Sequence, residues 1–351
     1  MTPRVTSVQK LLPEHVATQA QLLEAFRGLW ASEHFNLERL EDLHRAVGVA
    51  NRHLAIPLAD YPALTTFGAR NDAWIKAATD LGEKAVRGAL ARAGLQPQHL
   101  DAIFFVTVTG IATPSIDARL INRLQLRTDL KRTPIFGLGC VAGAAGLARA
   151  SDYLRAFPGH RALLLSVELC SLTLQREDVS IANIISSGLF GDGAAAVVLE
   201  GGEVAGPGPR VLATRSIFYR NTERIMGWDV VDGGFKVVLS AKVPDLVRDN
   251  IRDNVDAFLS SHGLTRRAIT HWVAHTGGPK VLTAFEEALD LPEQALRRSR
   301  ASLAAVGNLS SASVLHVLGD LLDSGEAKEG DLGLLMAMGP GFCGELVLLK
   351  W

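Results

Sequence analysis

Cysteine is scarce in this chain: 351 residues carry three, Cys140, Cys170 and Cys343, none at metal-ligand spacing. That excludes a disulfide framework and fits a reducing compartment. Excess charge is missing as well. With a formal net charge of -1, neither nucleic acid nor an anionic membrane is an expected partner. No apolar run of membrane-spanning length is free of charge, and the opening M-T-P-R-V-T-S-V-Q-K-L-L-P lacks the apolar core of a secretory signal. The expectation is a cytoplasmic protein without stable membrane insertion, although an apolar substrate would permit transient contact. Internal sequence repeats are not visible either. The remaining composition, 48% hydrophobic and 21% charged, suits one large domain or two intimately joined halves.

The stretch 134–156 organises the rest. A short apolar run leads to Gly137 and Gly139, then Cys140, then a segment rich in small residues. This reads as strand, tight turn and buried helix, with Cys140 where turn meets helix. Unpaired amides and the positive helix end would favour a thiolate there, making Cys140 a candidate nucleophile. A structural cysteine at the same junction fits the stretch equally well.

Helical patterns are expected at 14–31, 36–48, 71–94 with Gly94 as its stop, 116–125, 245–262, 280–289 and 310–324. Buried strands are expected at 101–110, 162–167, within 184–200 after a glycine-punctuated turn, at 272–274, 332–338 and 345–350. A further strand opens the second half, and a hairpin and loop at 225–244 end at Pro244. The Gly/Pro-rich 201–210 separates halves 1–205 and 206–351. Each half combines buried strands, a small-residue helix and a glycine-rich turn. The class is therefore α/β, a duplicated layered αβαβα architecture with two pseudo-symmetric halves.

Three polar residues sit at the ends of buried elements: Cys140 after F-G-L-G, His275 in W-V-A-H-T-G-G-P and Asn308 in V-G-N-L-S-S-A. A Cys–His pair can form thiolate and imidazolium, and an amide beside them can donate to enolate or oxyanion charge. Singly, His275 also reads as a satisfied strand-end histidine and Asn308 as a helix cap. Arg39, His44, Arg45, Arg52 and His53 could collar a phosphate or simply form a solvated face.

The motifs G-L-G-C-V-A-G, L-F-G-D-G-A-A-A-V, W-V-A-H-T-G-G-P, G-N-L-S-S-A-S-V-L and M-G-P-G-F together resemble the type III polyketide synthases, the chalcone-synthase-like branch of the thiolase superfamily. The resemblance spans nearly the whole chain. It implies a thiolase-like fold, a Cys140/His275/Asn308 catalytic triad, coenzyme A thioesters as substrates and no tightly bound cofactor. Cys140 would accept the acyl starter, and His275 and Asn308 would stabilise the enolate from malonyl decarboxylation, without an acyl-carrier protein. Phe190 matches a gatekeeper between the coenzyme A tunnel and the cavity. Val237 replaces the second gatekeeper and leaves apolar volume. Cys170, Thr173, Trp228 and Ser310 would line the cavity, with Cys170 alternatively a second reactive thiol. Glu168 would either hold a buried network or help activate water. Thr113 falls near a position that reaches across a homodimer interface, where plant enzymes usually carry methionine. Gly339, Pro340 and Gly341 match a turn shaping the cavity wall, with Ala337 and Met338 altering the packing before it. Arg39, Arg45 and Arg52 are the nearest candidates for coenzyme A phosphate contacts. The expected reaction is malonyl-CoA condensation onto a medium or long fatty acyl-CoA starter, giving alkylpyrones. An alkylresorcinol synthase, a malonyl-primed tetrahydroxynaphthalene synthase, beta-ketoacyl-carrier-protein synthase III and a silent thiolase-fold binding protein are the alternatives.

Overall fold

Central strands buried on both faces divide the molecule into layers. The computed structural model describes residues 2–30 and 37–351. The first half contains β1 (Arg4–Leu11), β2 (His15–Thr18), α1 (Gln19–Trp30), α2 (Leu37–Ala46), β3 (Asn51–Leu54), α3 (Phe67–Ala93), β4 (Ala102–Thr107), α4 (Ile116–Leu124), β5 (Lys131–Phe136), α5 (Ala142–Ala156), β6 (Arg161–Leu169), α6 (Ile181–Leu189) and β7 (Asp192–Glu200). The second contains β8 (Arg210–Phe218), β9 (Met226–Val231), β10 (Gly234–Leu239), α7 (Val243–Ser260), β11 (His271–Ala274), α8 (Pro279–Leu289), α9 (Arg297–Val306), α10 (Ser311–Ser324), β12 (Leu332–Gly339) and β13 (Cys343–Lys350).

Nine strands follow the order β11-β12-β13-β8-β1-β7-β6-β4-β5, and the halves meet where Arg4 of β1 pairs with Arg210 of β8. The pairing repeats across that seam. In the first half β4 and β6 are parallel while β6–β7 and β7–β1 are antiparallel. In the second, β11 and β12 are parallel while β12–β13 and β13–β8 are antiparallel. The duplication expected without sequence repetition is thus a duplication of topology.

Side-chain alternation makes the layers. In β4, Phe104 and Val106 point to a central core with α5 and α10, while Ile103 and Phe105 point to an outer core with α3 and α4. In β12, Leu335 and Ala337 join the same central core, while Leu334 and Met336 face α7 and α8. The result is α/β/α/β/α, with the two small-residue helices in the middle.

Local signals place the ends. Thr66 Oγ1 accepts from Ala69 N–H at 3.1 Å to start α3, and Gly94 at φ 67 closes it. Three expectations need correction. The stretch before β7 is helical over 181–189, because Ile184 and Leu189 have a core to enter. Pro244 opens α7 in its first turn, where its missing N–H costs nothing, and does not end a loop. Residues 15–18 pair with β3 as a strand, so the first helix begins at Gln19. Neither β1 nor α9 had been expected. Positions 31 and 36, outer ends of two expected helices, lie outside the described residues. Among the described residues no helix is long and apolar enough to cross a membrane.

The central helices touch because Gly143 has no side chain: a Cβ there would run into the Ser311 carbonyl and lie 2.9 Å from Val314 Cγ1. We expect Gly143→Ala to destabilise by about 1–3 kcal/mol by overpacking a backbone contact. Gly28→Ala, with nothing within 4 Å, is the control. Urea unfolding of both variants checks this, and equal midpoints would remove the close-contact argument.

His316 on α10 donates from Nε2 to the Ala194 carbonyl at 2.9 Å, and burial pulls it from the ordinary 6.5 down to about 4. The folded chain keeps it neutral while the unfolded chain protonates it. Its contribution is therefore present above the unfolded value and lost as pH falls through that window. His316→Gln should lessen the acid dependence of unfolding free energy by about 1.4 kcal/mol per pH unit between those limits. Parallel slopes in urea titrations at several pH values would contradict it.

Candidate active site

The two central helices begin with tight turns that carry the polar residues. Cys140 occupies the turn Gly139–Val141 ahead of α5 and is buried. Gly139 has φ +54, and a Cβ on it would lie 2.6 Å from Pro340 Cδ. A Cβ on Gly339 would lie 2.7 Å from Val141 N. The Gly339–Pro340 turn is thus pressed onto the cysteine turn, which only glycines allow. Gly341 continues that turn at φ 138.

Asn308 precedes α10. Its N–H donates to Leu189 O at 2.9 Å and its carbonyl accepts from Gly191 N–H at 3.0 Å, a parallel bridge that fixes Phe190 beside it. Its Oδ1 accepts from Ser310 N–H at 2.8 Å. That bond holds Ser310 at φ 49, where a non-glycine residue costs about 1–3 kcal/mol. Ser310 Oγ then lies 3.7 Å from Cys140 Sγ. His275 follows β11, its N–H donating to Met336 O at 2.9 Å; its ring is buried and Nδ1 has no partner.

Burial pushes the Cys140 thiol up to about 12; hydrogen bonds from Ser310 and Asn308 oppose the shift and the Glu168 carboxylate adds to it. Burial also pulls His275 down to about 4. Both shifts favour neutral thiol and neutral imidazole, with desolvation of the charged forms as their first cause.

Glu168 is fully buried and holds a network. Its Oε2 accepts from Thr109 Oγ1 at 2.9 Å and Val108 N–H at 3.1 Å, and its Oε1 accepts from Ser311 Oγ. Burial raises its pKa despite these donors. Cys170, buried alongside, is pushed well above the usual thiol range by burial and then by the Glu168 and Asp192 carboxylates.

A pocket opens beside Phe190, with about 1020 Å³ of empty space counted out to its open mouth. Cys170, Thr173, Phe190, Trp228 and Val237 line it together. Trp228 and Val237 are direct cross-strand partners on β9 and β10. Cys140, His275, Asn308 and Ser310 are not in its wall.

The basic residues scatter. Arg45 is exposed and paired with Asp42 at 2.9 Å, and Arg39 is exposed on α2. Arg52 does not belong to a solvated collar: it is 1% exposed, donates to Gly188 O and Gln19 Oε1, and lines the pocket. His44 is also interior, its Nε2 3.2 Å from Ser187 Oγ. Thr113 is exposed, away from the pocket wall.

Several site residues had not been singled out. Leu22, Phe26 and Leu29 of α1 line the pocket, and no spacing in the sequence signals a contact that spans 150 positions or more to β9 and β10. Asp192, buried and accepting from Ala55 N–H at 2.7 Å and Ser171 N–H at 2.8 Å, was visible within L-F-G-D-G.

Residues 3–203 match the family described as chalcone and stilbene synthases, N-terminal domain, and residues 211–351 match its C-terminal domain. A 1,3,6,8-tetrahydroxynaphthalene synthase of Streptomyces peucetius is 49% identical over 99% of this chain and 93% of that protein. Phloroglucinol synthase of Pseudomonas fluorescens is 34% identical over 97% of each. The crystal structure of 1,3,6,8-tetrahydroxynaphthalene synthase from Streptomyces coelicolor, a bacterial type III polyketide synthase, superposes with a TM-score of 0.94 at 33% identity, covering 99% of both chains.

Proposed function

Because the chain belongs to the chalcone and stilbene synthase family, the type III polyketide synthases, we propose that Cys140 carries the acyl chain and that His275 and Asn308 serve its reactions. Cys140 Sγ attacks the acyl-CoA thioester, passing its proton to His275 and releasing coenzyme A. Malonyl-CoA then loses carbon dioxide. His275 and Asn308 donate to the enolate oxygen, and the enolate carbon attacks the Cys140 thioester, forming the new carbon–carbon bond as the acyl carbon–sulfur bond breaks and Cys140 leaves as thiolate, with the extended chain on coenzyme A. Ser310 Oγ accepts from the Cys140 thiol at 3.7 Å and donates to the sulfur once the thiol has lost its proton.

For starter and product, the whole-length 49% identity carries the reading: malonyl-CoA serves as starter and extender, and the product is a tetrahydroxynaphthalene. That identity favours the naphthalene outcome over the alkylpyrone. A second reading, a fatty acyl-CoA starter giving alkylpyrones or alkylresorcinols, is favoured by the apolar side chains of α1 in the pocket wall. Product mass spectrometry with malonyl-CoA alone, then with acyl-CoA starters of increasing length, separates them. A product from malonyl-CoA alone supports the first; absolute dependence on a long starter supports the second.

Val237 governs the space under the second reading. Val237→Phe, facing Trp228 across the hairpin, should reduce use of long starters about tenfold more than acetyl-CoA. Equal losses across chain length would remove the size argument. We also propose a homodimer. β5 is an edge strand of the sheet, and Phe136 at its end and nearby Ile111 are 49% and 51% exposed. Sedimentation tests it, a monomer at micromolar concentration being the contrary result.

A further inference from the structure

The pocket beside Phe190 has apolar walls yet contains two cations, Arg52 and Arg176. Among the described residues, neither Arg52 nor Arg176 has a carboxylate within ion-pair distance, although arginines such as Arg127, Arg132 and Arg300 do. Arg52 donates to Gly188 O and Gln19 Oε1, and its Nε is buried with no partner among the described residues. Burial alone depresses it; no acid contributes. Arg176 donates to the Tyr61 and Pro62 carbonyls. Arg70, close enough to Arg176 to repel it, likewise donates to the carbonyls of Leu64 and Gly233. Ser186 Oγ, also in the pocket wall, is buried without a partner.

The neighbouring acids are engaged elsewhere. Asp178 lies 3.6 Å from Lys236, and Asp192 accepts from Ser171 and Ala55 while burial lifts it to about 7. A buried guanidinium with an unused N–H is unfavourable unless an anion completes it. Carboxylate-type oxygens match its donors best.

We propose that this pocket is an anion-accepting subsite in which Arg52 and Arg176 hold a negatively charged oxygen at the far end of the bound acyl chain, a carboxylate or the enolate of a β-diketone. The apolar wall takes the stem of the chain, and the arginines and Ser186 take its oxygen. The inference rests on the polyketide synthase reading and deepens it: the pocket selects oxygenated chains over plain alkyl chains.

The test is acylation of Cys140 by matched thioesters, read by intact-protein mass spectrometry. Succinyl-CoA against butyryl-CoA reports the carboxylate source, and acetoacetyl-CoA against butyryl-CoA reports the enolate source. At least one oxygenated member should load about tenfold more efficiently, and Arg176→Met should bring that ratio to about one. Arg52→Gln should act in the same direction. If it fails to fold, Arg176→Met at the less buried position carries the test alone. Ratios near one in the unaltered protein, or a preference that survives Arg176→Met, overturn the subsite alone. No acylation by any of the three, with an adduct from malonyl-CoA, overturns the subsite alone; no adduct from malonyl-CoA either overturns it together with the synthase reading.

Discussion

Cys140→Ala is expected to abolish acyl loading and lower polyketide formation by at least about ten-thousand-fold. Neither other thiol occupies the turn ahead of a central helix. Cys170 follows β6, its thiol raised first by burial and then by the Glu168 and Asp192 carboxylates, and Cys343 sits at the start of β13 with its Sγ 3.0 Å from the Pro340 carbonyl. Cys140 alone combines the turn ahead of a central helix with donors from Ser310 and Asn308. Alanine removes the sulfur while keeping the small volume that the Gly339–Pro340 turn demands, so the fold should survive and circular dichroism should be unchanged. Intact-protein mass spectrometry after exposure to acyl-CoA reads the outcome. A covalent adduct on the alanine variant would place the nucleophile elsewhere.

Asn308→Ala should slow malonyl decarboxylation about a hundred- to a thousand-fold, roughly 3–4 kcal/mol of lost enolate stabilisation, while acyl loading on Cys140 persists. The asparagine has two jobs, and they can be separated. Its Oδ1 holds the strained Ser310 backbone, whereas its amide N–H₂ is the proposed enolate donor. Asn308→Asp retains the acceptor and removes the donor. It should match alanine in lost decarboxylation yet unfold closer to the unaltered protein than alanine does. Carbon dioxide release from carboxyl-labelled malonyl-CoA, measured beside acylation, checks the division. Loss of loading with decarboxylation intact would reverse the roles.

Much of this was readable before any coordinates. Continuous apolar runs marked β4 and β6, helical periodicity ending in Gly94 marked α3, and glycines around Cys140 marked the turn, because each depends on local chemistry. The places that escaped depend on distant partners. β1 reads R-V-T-S-V-Q-K-L, with one face only partly apolar, and becomes the seam of the sheet because β7 and β8 are there to receive it. Arg52 looked like a surface cation among other cations. Only the fold reveals that β3 carries it inward against Gly188. The ionisation of Cys140 likewise turns on burial by residues from both halves, which no window around the cysteine contains.

Malonyl condensation through Cys140 is open to direct measurement. The most direct measurement incubates the purified protein with malonyl-CoA alone, following carbon dioxide release, soluble products and the mass of the peptide bearing Cys140. The account predicts all three signals together, with the adduct confined to Cys140. No carbon dioxide and no adduct, with malonyl-CoA alone and with a broad set of acyl-CoA starters added, would contradict it.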